Sequence, residues 1–233
     1  MAAGSVTTAG GPAAPSGLRR RRGVLIGTAV TVVALLLLSR GVTVVPDRQV
    51  AKTDLAGNPV FEAKGFVTSI WASRVLPLVH DHAADAATVL AALAQNPDAA
   101  GKRYGHRSKA EDGPWNFVVH GEGTIKTAET RLRHATLDLD VGGHDLVVQI
   151  GPVIFGTALR DALPFVSFDQ VVNQIQFAQI SRELNDRATA AARTGLDVAK
   201  LVPGAHVAFA GAMSGTSPPQ LTAVELRPVG ATP

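Results

Sequence analysis

The sequence of 233 residues contains no cysteine, a single tyrosine and only two tryptophans. Without cysteine, this sequence can hold no disulfide, thiolate metal ligand, cysteine nucleophile or lipid-modified cysteine. Acidic residues are absent from the first 40 positions, which hold five arginines. The other positions carry 17 basic and 19 acidic residues, so the overall charge of +3 belongs to the N-terminal end. The rest of the chain lacks the basic excess typical of nucleic-acid binding, and we predict no such partner.

An uncharged apolar run at residues 23–39 directly follows four arginines at 19–22. As a helix, the run would span about 25 Å, the short end of a bilayer crossing. The preceding arginines predict a transmembrane signal anchor, with residues 1–22 disordered in the cytoplasm and the bulk of the chain outside. The run is longer than a secretory h-region and no A-x-A-like site follows it. This favours an uncleaved anchor over a cleaved signal.

Turn residues predict a linker over 40–59, followed by one extracytoplasmic domain at 60–233. Apolar side chains at helical spacing in residues 60–76 predict a first helix that Pro77 ends. The alanine-rich stretch after it predicts a second helix, capped by Asp81 and stopped at "NP", residues 96 and 97.

From residue 115 the hydrophobic period changes to two, which predicts strands. The pattern breaks at Gly121–Gly123 and again at Gly142–Gly143, and we predict turns at both places. The segment "LDLDV" at 137–141 alternates cleanly, with leucine and valine on one face and aspartate on the other.

Two further strands are predicted at 206–213 and 220–229, after a helix over 180–195. Five or six short strands with helical insertions indicate an α+β domain. Its sheet is expected to form a small, closed or partly closed barrel and not a doubly wound sheet.

The stretch "GPVIFGTALRDALPF" at 151–165 places two charged residues in an apolar setting. Arg160 and Asp161 lie on a short predicted turn that Thr157 can cap, so their side chains should diverge by about 100° and should not pair with each other. Because an unpaired buried charge is costly, each needs its own partner. The residues are either structural clamps at an elbow between barrel and helix, or the polar floor of a pocket in which Arg160 can bind a carboxylate, phosphate or sugar hydroxyl.

Three more side chains are candidates for a ligand site or for structural clamps. The amides of Asn173 and Gln174 suit sugar hydroxyls, and they equally suit the capping of buried backbone groups. Trp71 could stack on a sugar face, but its helical spacing with other apolar residues is also typical of a core position.

Signatures of catalysis and of metal binding are weak. His80 and His82 flank Asp81, but at a predicted helix start their side chains diverge, and we predict no metal site. Ser214 lacks the flanking glycines of a nucleophile elbow. The segment "GEGTIK" lacks the spacing of a dinucleotide motif, and the sequence contains no phosphate-binding P-loop. We therefore predict no enzymatic activity and no cofactor.

Six segments of the sequence are distinctive: "SIWASRVLPLV" at 69–79, "YGHR" at 104–107, "QIGPVIFGTALRDA" at 149–162, "NQIQFA" at 173–178, "ELN" at 183–185 and "GA" at 211–212. These segments resemble the predicted periplasmic lipoproteins grouped as domain of unknown function family 2291. Together they cover roughly residues 60–229.

The resemblance implies an extracytoplasmic domain with an OB-like barrel, in a family often found beside sugar ABC-transporter components and without an established activity. Relatives end their signal at a lipid-modified cysteine, whereas this sequence reads "LLLSRG" there, so a transmembrane anchor would provide the tether. We expect a membrane-anchored accessory or ligand-binding module, with sugar-transporter components and a small sugar as partners. The alternatives are a purely structural envelope scaffold and, less favoured, an oligonucleotide-binding OB module or a hydrolase.

Overall fold

The computed structural model describes residues 61–107 and 113–230. Three predicted segments lie outside these ranges: the N-terminal segment 1–22, the anchor 23–39 and the linker 40–59. Residues Phe61–Pro233 form a compact unit of their own. Among the described helices, none is both long enough and apolar enough to cross a bilayer.

The described residues form helices and strands in comparable number. The helices are α1 (Ala63–Ile70), α2 (Leu76–Asp81), α3 (Ala86–Gln95), α4 (Pro97–Tyr104), α5 (Ala158–Asp161) and α6 (Gln174–Ala192). The strands are β1 (Ala84–Asp85), β2 (Gly105–His106), β3 (Asn116–Glu129), β4 (Thr136–Val141), β5 (His144–Gln149), β6 (His206–Ser214) and β7 (Gln220–Pro228). The prediction of an α+β fold is confirmed.

Five strands make up the main part of the sheet, in the order β3–β4–β5–β7–β6. Neighbours are antiparallel except β5 and β7, which run parallel. Strand β3 also pairs with β6, from Asn116 to Thr124, so the hydrogen-bonded pairings return to the strand where they begin. The two-residue strands β1 and β2 both pair with β3. Helices α5 and α6 lie in the connection between β5 and β6.

Two hydrophobic clusters of described residues share strand β6 between them. Val207, Phe209 and Met213 belong to a cluster with side chains from all five main strands and from α3. Ala210 and Ala212 belong to a second cluster, with side chains from α1, α5 and α6. Because helices cover one face of β6 and the sheet interior covers the other, both faces are buried. The strand is therefore apolar and buried from Val207 to Met213 and does not alternate.

Pro77 does not end the first helix, contrary to the prediction. A turn of π-helix at Trp71–Val75 joins α1 to α2, and the N–H of Leu76 donates to the carbonyl of Trp71, five residues earlier. In a regular α-helix, the ring of Pro77 would clash with the carbonyl four residues earlier. Proline also has no N–H to donate to that carbonyl. The wider turn changes this register locally, so the helical path continues to Asp81.

The N-terminal cap of α3 is Asp85 and not Asp81, which ends α2 instead. The carboxylate of Asp85 accepts hydrogen bonds from the N–H and the hydroxyl of Thr88, at 2.8 and 2.6 Å. Strand pairing of Ala84 with Val119 separates the two helices. Tertiary pairing therefore moves the helix start by four residues relative to the prediction.

The predicted turn at Gly121–Gly123 is wrong, because these residues lie inside the continuous strand β3. They pair with β6, and the strand passes to its other partner, β4, at the next residue, Thr124. A Cβ atom on Gly123 would lie 2.9 Å from the carbonyl oxygen of Asp140, so the glycine permits close contact with β4. The predicted hairpin at Gly142–Gly143 is confirmed, and both glycines have positive φ, as a two-residue hairpin turn requires.

Candidate functional site

Arg160 and Asp161 form an ion pair with each other, so the prediction that they would not pair is wrong. Arg160 Nε and Nη2 both lie 2.7 Å from Asp161 Oδ1. The hydroxyl of Thr157 donates to the other carboxylate oxygen and makes no capping bond to the helix backbone. His106 Nδ1 lies 2.7 Å from the carbonyl oxygen of Asp161. The guanidinium lies 3.8 Å from the centre of the Phe177 ring.

The prediction failed because it equated the direction of Cβ with the position of the charged group. Consecutive Cβ atoms on a helix do diverge. A long, flexible arginine side chain can nevertheless fold back, and the Phe177 ring supports the guanidinium when it does so. These contacts favour the structural-clamp interpretation of Arg160 and Asp161, since the groups of both are already engaged.

The segment between β5 and α5 is held in place by side chains. The amide of Gln149 accepts from the N–H of Phe155 at 2.8 Å and donates to the Phe155 carbonyl at 3.0 Å. Arg193 donates to the carbonyl of Ile150, and His134 Nδ1 lies 3.1 Å from the carbonyl of Val153. The backbone of this irregular segment is therefore ordered without belonging to a strand or helix.

Helix α6 presents a polar stripe to this segment. Ser181, Asn185 and Thr189 follow one another at four-residue spacing and are all buried. Asn185 Nδ2 donates to the carbonyl of Gly156 at 3.1 Å. Since that carbonyl can only accept, the amide nitrogen must face it, and the amide oxygen points elsewhere. Asn185 Oδ1, Ser181 Oγ and Thr189 Oγ1 have no hydrogen-bond partner among residues 61–107 and 113–230.

The segment Pro152–Thr157 and helix α6 enclose a cleft of about 550 Å³, hereafter the loop–helix cleft. Ser181 and Asn185 line it, and only 5% and 6% of their surfaces are exposed. Buried polar atoms are normally paired, because leaving one unpaired costs about 1–3 kcal/mol. Two such atoms therefore belong to residues in the wall of one cleft, and a hydrogen-bonding group that reached them would supply their missing partners.

The mouth of the loop–helix cleft combines apolar and charged side chains. Phe155 is 60% exposed, and its ring centre lies 4.4 Å from that of His134. The exposed side chains of Arg133, Arg182 and Asp186 complete the lining. An aromatic face, two guanidinium groups and buried hydrogen-bonding atoms thus converge on one space, the usual composition of a small-molecule site.

The other predicted site residues lie away from the loop–helix cleft, apart from Thr157, which lines it. Asn173 is the N-terminal cap of α6, and its side chain accepts from the N–H of Gln176 at 2.9 Å. Gln174 is the first residue of α6 and is exposed. Trp71 is buried in the second core cluster and therefore offers little ring surface for stacking.

A second cleft, of about 690 Å³, lies on the outer face of β3, β6 and β7. Ala208, Phe209 and Ala210 of β6 line it, together with charged side chains of β3 and β7. His80 Nε2 lies 2.5 Å from Glu225 Oε1 at one end. Asp85 also lines this cleft, and hydrogen bonds from the Thr88 hydroxyl and N–H hold its pKa below the ordinary value. No three histidine, aspartate or glutamate side chains within 61–107 and 113–230 are arranged to hold a metal ion.

Ser181, Arg182 and Asn185 were not among the site residues predicted from the sequence. A usable signal was present, because Ser181, Asn185 and Thr189 repeat every four residues beside the apolar stripe of the same helix. Polar residues at that spacing mark one helical face. The sequence does not show, however, that another segment covers this face.

Comparison with known proteins now identifies the family. Residues 32–230 match the family described as "Predicted periplasmic lipoprotein (DUF2291)". The chain belongs to this family, and the resemblance seen in the sequence is confirmed. The description indicates an extracytoplasmic, membrane-associated class of proteins of unknown function. The sequence of this member contains no cysteine that could carry a lipid.

The fold is similar to that of a solved OB-fold protein from Thermotoga maritima, with a TM-score of 0.57. The two are 16% identical, and the similarity covers 72% of this chain and 99% of the other. At that identity, the likeness concerns the fold alone. The predicted OB-like character of the domain is supported. No curated protein matches the chain.

Proposed function

We propose that the protein is a membrane-anchored, extracytoplasmic accessory module that binds a small polyhydroxylated ligand in the loop–helix cleft and serves a sugar ABC-transport system. We interpret the closed ring of strand pairings as an OB-like barrel that supports this cleft. The domain acts as a binding module and not as an enzyme.

One observation carries the proposal: Ser181 and Asn185 line the cleft, and Ser181 Oγ and Asn185 Oδ1 are buried without hydrogen-bond partners in the described part of the chain. A hydroxyl can donate and accept, whereas an amide oxygen can only accept, so a ligand rich in hydroxyl groups satisfies both. The exposed face of Phe155 offers an apolar surface for the carbon skeleton of such a ligand.

The cleft is suited to binding because its wall is already in place. Gln149, Asn185 and Arg193 hold the backbone of the covering segment through hydrogen bonds to Phe155, Gly156 and Ile150, and these contacts involve no ligand. A preformed site loses less conformational entropy on binding than one that must be ordered. Recognition therefore depends on the few unpaired groups facing the space.

The proposal is tested by measuring heat of binding and thermal stability with a panel of sugars, using the full-length chain in detergent. A sugar at 100 times its Kd should stabilise the protein by about 2.7 kcal/mol. Ser181→Ala should lower affinity without lowering stability, because it removes an unpaired buried hydroxyl. Thr189→Val is the matched control, since it removes an unpaired hydroxyl from the same helix outside the cleft lining.

The result that contradicts binding is an unchanged melting temperature with every sugar. A loss of stability in Ser181→Ala would also count against it, because the hydroxyl would then have a structural partner. Topology is tested separately by fusing alkaline phosphatase after Pro233. Activity of the fusion outside the cytoplasm is expected, and activity of a reporter that works only in the cytoplasm would contradict the proposed orientation.

The structural scaffold is retained as the second candidate because of an exposed apolar patch. Val172, two residues before α6, and Ile175, in its first turn, are 87% and 71% exposed, and Phe168 in the preceding turn is also exposed. Clustered exposed apolar residues often mark protein contacts. Loss of a cellular complex in Val172→Ser and Ile175→Ser, together with absence of sugar binding, would favour this candidate over the binding module.

A further inference from the structure

We propose that the ligand of the loop–helix cleft is an anionic sugar, whose carboxylate or phosphate is held by Arg133 and Arg182 while its hydroxyls bind Ser181 and Asn185. This inference rests on the proposed binding function and narrows the ligand to one chemical class.

Two arginine side chains at the cleft are without partners among the described residues. Arg133, in the connection between β4 and its preceding strand β3, and Arg182, on α6, both line the cleft from exposed positions. Neither side chain forms a hydrogen bond, an ion pair or an aromatic contact with the part of the chain that the structure describes. Arg160 and Arg193 differ in this respect, since they are engaged with Asp161 and with the carbonyl of Ile150.

The charged side chains that line the cleft give it a net positive charge. The lining contains two arginines and one carboxylate, that of Asp186. It therefore carries an excess of one positive charge. Asp186 lies one turn after Arg182 on α6, but the two form no ion pair within 4 Å. Free guanidinium forks bind carboxylate or phosphate oxygens in pairs, and the geometry suits either anion.

The polar groups of the cleft favour an anionic sugar over a simple inorganic anion. An inorganic anion could satisfy the arginines, but it has no carbon skeleton to lie against Phe155 and at most a P–O–H group to offer the buried amide oxygen of Asn185. That oxygen needs a hydroxyl or N–H donor, because the amide nitrogen of the same side chain is already used on Gly156. The ligand must therefore carry both an anionic group and hydroxyl groups on one carbon skeleton, which can lie against Phe155.

The test compares D-glucose, D-glucuronate and D-glucose 6-phosphate by calorimetric titration of the full-length chain in detergent. We expect at least one of the two anionic sugars to bind about tenfold more tightly than glucose, as expected for a gain of charge-assisted hydrogen bonds. Preference for glucuronate or for the phosphate identifies the anionic group. The preference should shrink as salt rises from about 0.05 to about 0.5 M, because the guanidinium groups are exposed and screened.

The variant Arg133→Gln/Arg182→Gln should lose the preference for the anionic sugar and keep the affinity for glucose. Arg131→Gln, which changes an exposed arginine of the same connection outside the cleft lining, should keep both. Thermal melts of all variants confirm that they are folded.

Equal binding of neutral and anionic sugars, unchanged in the double variant, would overturn the anionic-ligand inference and leave the proposed sugar-binding function standing. Failure of all three compounds to bind would count against the anionic-ligand inference and against the proposed sugar-binding function. If the anionic sugars bind the double variant as well as the wild type, the arginines do not hold the anionic group and the inference is overturned. Binding of inorganic phosphate as tightly as glucose 6-phosphate would also overturn the inference, because the hydroxyl contacts would then contribute nothing.

Discussion

Arg160 and Asp161, neighbours in the chain, are joined by an ion pair of 2.7 Å in which 12% and 15% of the two side chains are exposed. The hydroxyl of Thr157 donates to the Asp161 carboxylate, and the Arg160 guanidinium lies over the Phe177 ring. The pair therefore links the short helix α5 to α6. The guanidinium also lies 3.4 Å from the Phe177 carbonyl oxygen. The pair thereby ties the segment after β5 to the start of α6, next to the loop–helix cleft.

Replacing Arg160 should therefore reduce stability more than replacing an exposed arginine. Arg160→Ala leaves the largely buried carboxylate of Asp161 without its cation, and we expect a loss of about 3 kcal/mol. Arg160→Lys should lose less, about 1–2 kcal/mol, because an ammonium keeps the charge but cannot provide the paired contacts and the flat face over Phe177. Urea melts of residues 41–233 measure both. Arg182→Ala is the control and should melt like the wild type, whereas wild-type midpoints for both Arg160 variants would contradict the clamp.

Gln149 should be needed for the shape of the cleft wall. Gln149→Met keeps the side-chain volume but leaves the N–H and carbonyl of Phe155 without their partners. We expect a loss of about 1–3 kcal/mol in the free energy of unfolding, with weaker ligand binding. Gln174→Met, at an exposed position, is the matched control and should change neither quantity. If Gln149→Met binds and melts like the wild type, the amide does not hold the segment.

Asp85, not Asp81, should determine the stability of α3. Asp85→Ala removes the helix cap and should cost about 1 kcal/mol at neutral pH, whereas Asp81→Ala should have little effect. The two hydrogen bonds from Thr88 lower the pKa of Asp85 from its ordinary value of 3.8. A lowered pKa means that the stabilisation is complete above this value and is lost as pH falls through the lower, folded-state pKa.

The difference in the free energy of unfolding between wild type and Asp85→Ala should thus be constant around neutral pH and shrink in acid. Denaturant melts over a pH series measure it. A difference that grows on acidification would contradict the cap, and a larger effect of Asp81→Ala would restore the assignment made from the sequence.

Two helical glycines should respond in opposite ways to alanine. Gly65 in α1 has open space around it, since an added Cβ would be 3.9 Å from its nearest neighbour. Gly65→Ala should therefore stabilise the protein by about 0.5–1 kcal/mol. In α4, a Cβ on Gly101 would lie 2.2 Å from ring atoms of Trp115, and Gly101→Ala should cost about 1–3 kcal/mol. Thermal melts and the tryptophan emission of each variant check these results, and equal effects of both changes would contradict the packing of Trp115 on α4.

Much of the sheet could be predicted because its signals are local. Leu137, Leu139 and Val141 are all buried, as their alternation with aspartate indicates, and they belong to the cluster among the strands. The glycine pair at 142–143 specifies the hairpin, because both positions need positive φ. Each of these signals is contained within a few consecutive residues.

Predictions failed where a neighbour distant in sequence decided the outcome. The Gly121–Gly123 segment has the composition of a turn, but pairing with β6 keeps it extended. Asp81 and Asp85 are both suitable caps, and the short pairing of β1 with β3 selects Asp85. Local propensity is a weak preference in both cases, and tertiary pairing overrides it.

The sequence by itself determined the α+β class, the family, the alternating strands and the importance of residues 151–165. Only the tertiary structure brought the Pro152–Thr157 segment against Ser181 and Asn185, where Asn185 meets Gly156, 29 residues earlier in the chain. A hydrogen-bond partner is chosen by position in space, and a polar residue on a helix carries no sign of which segment will cover it. The candidate site follows from this covering, because burial turns two ordinary polar side chains into groups that need a partner.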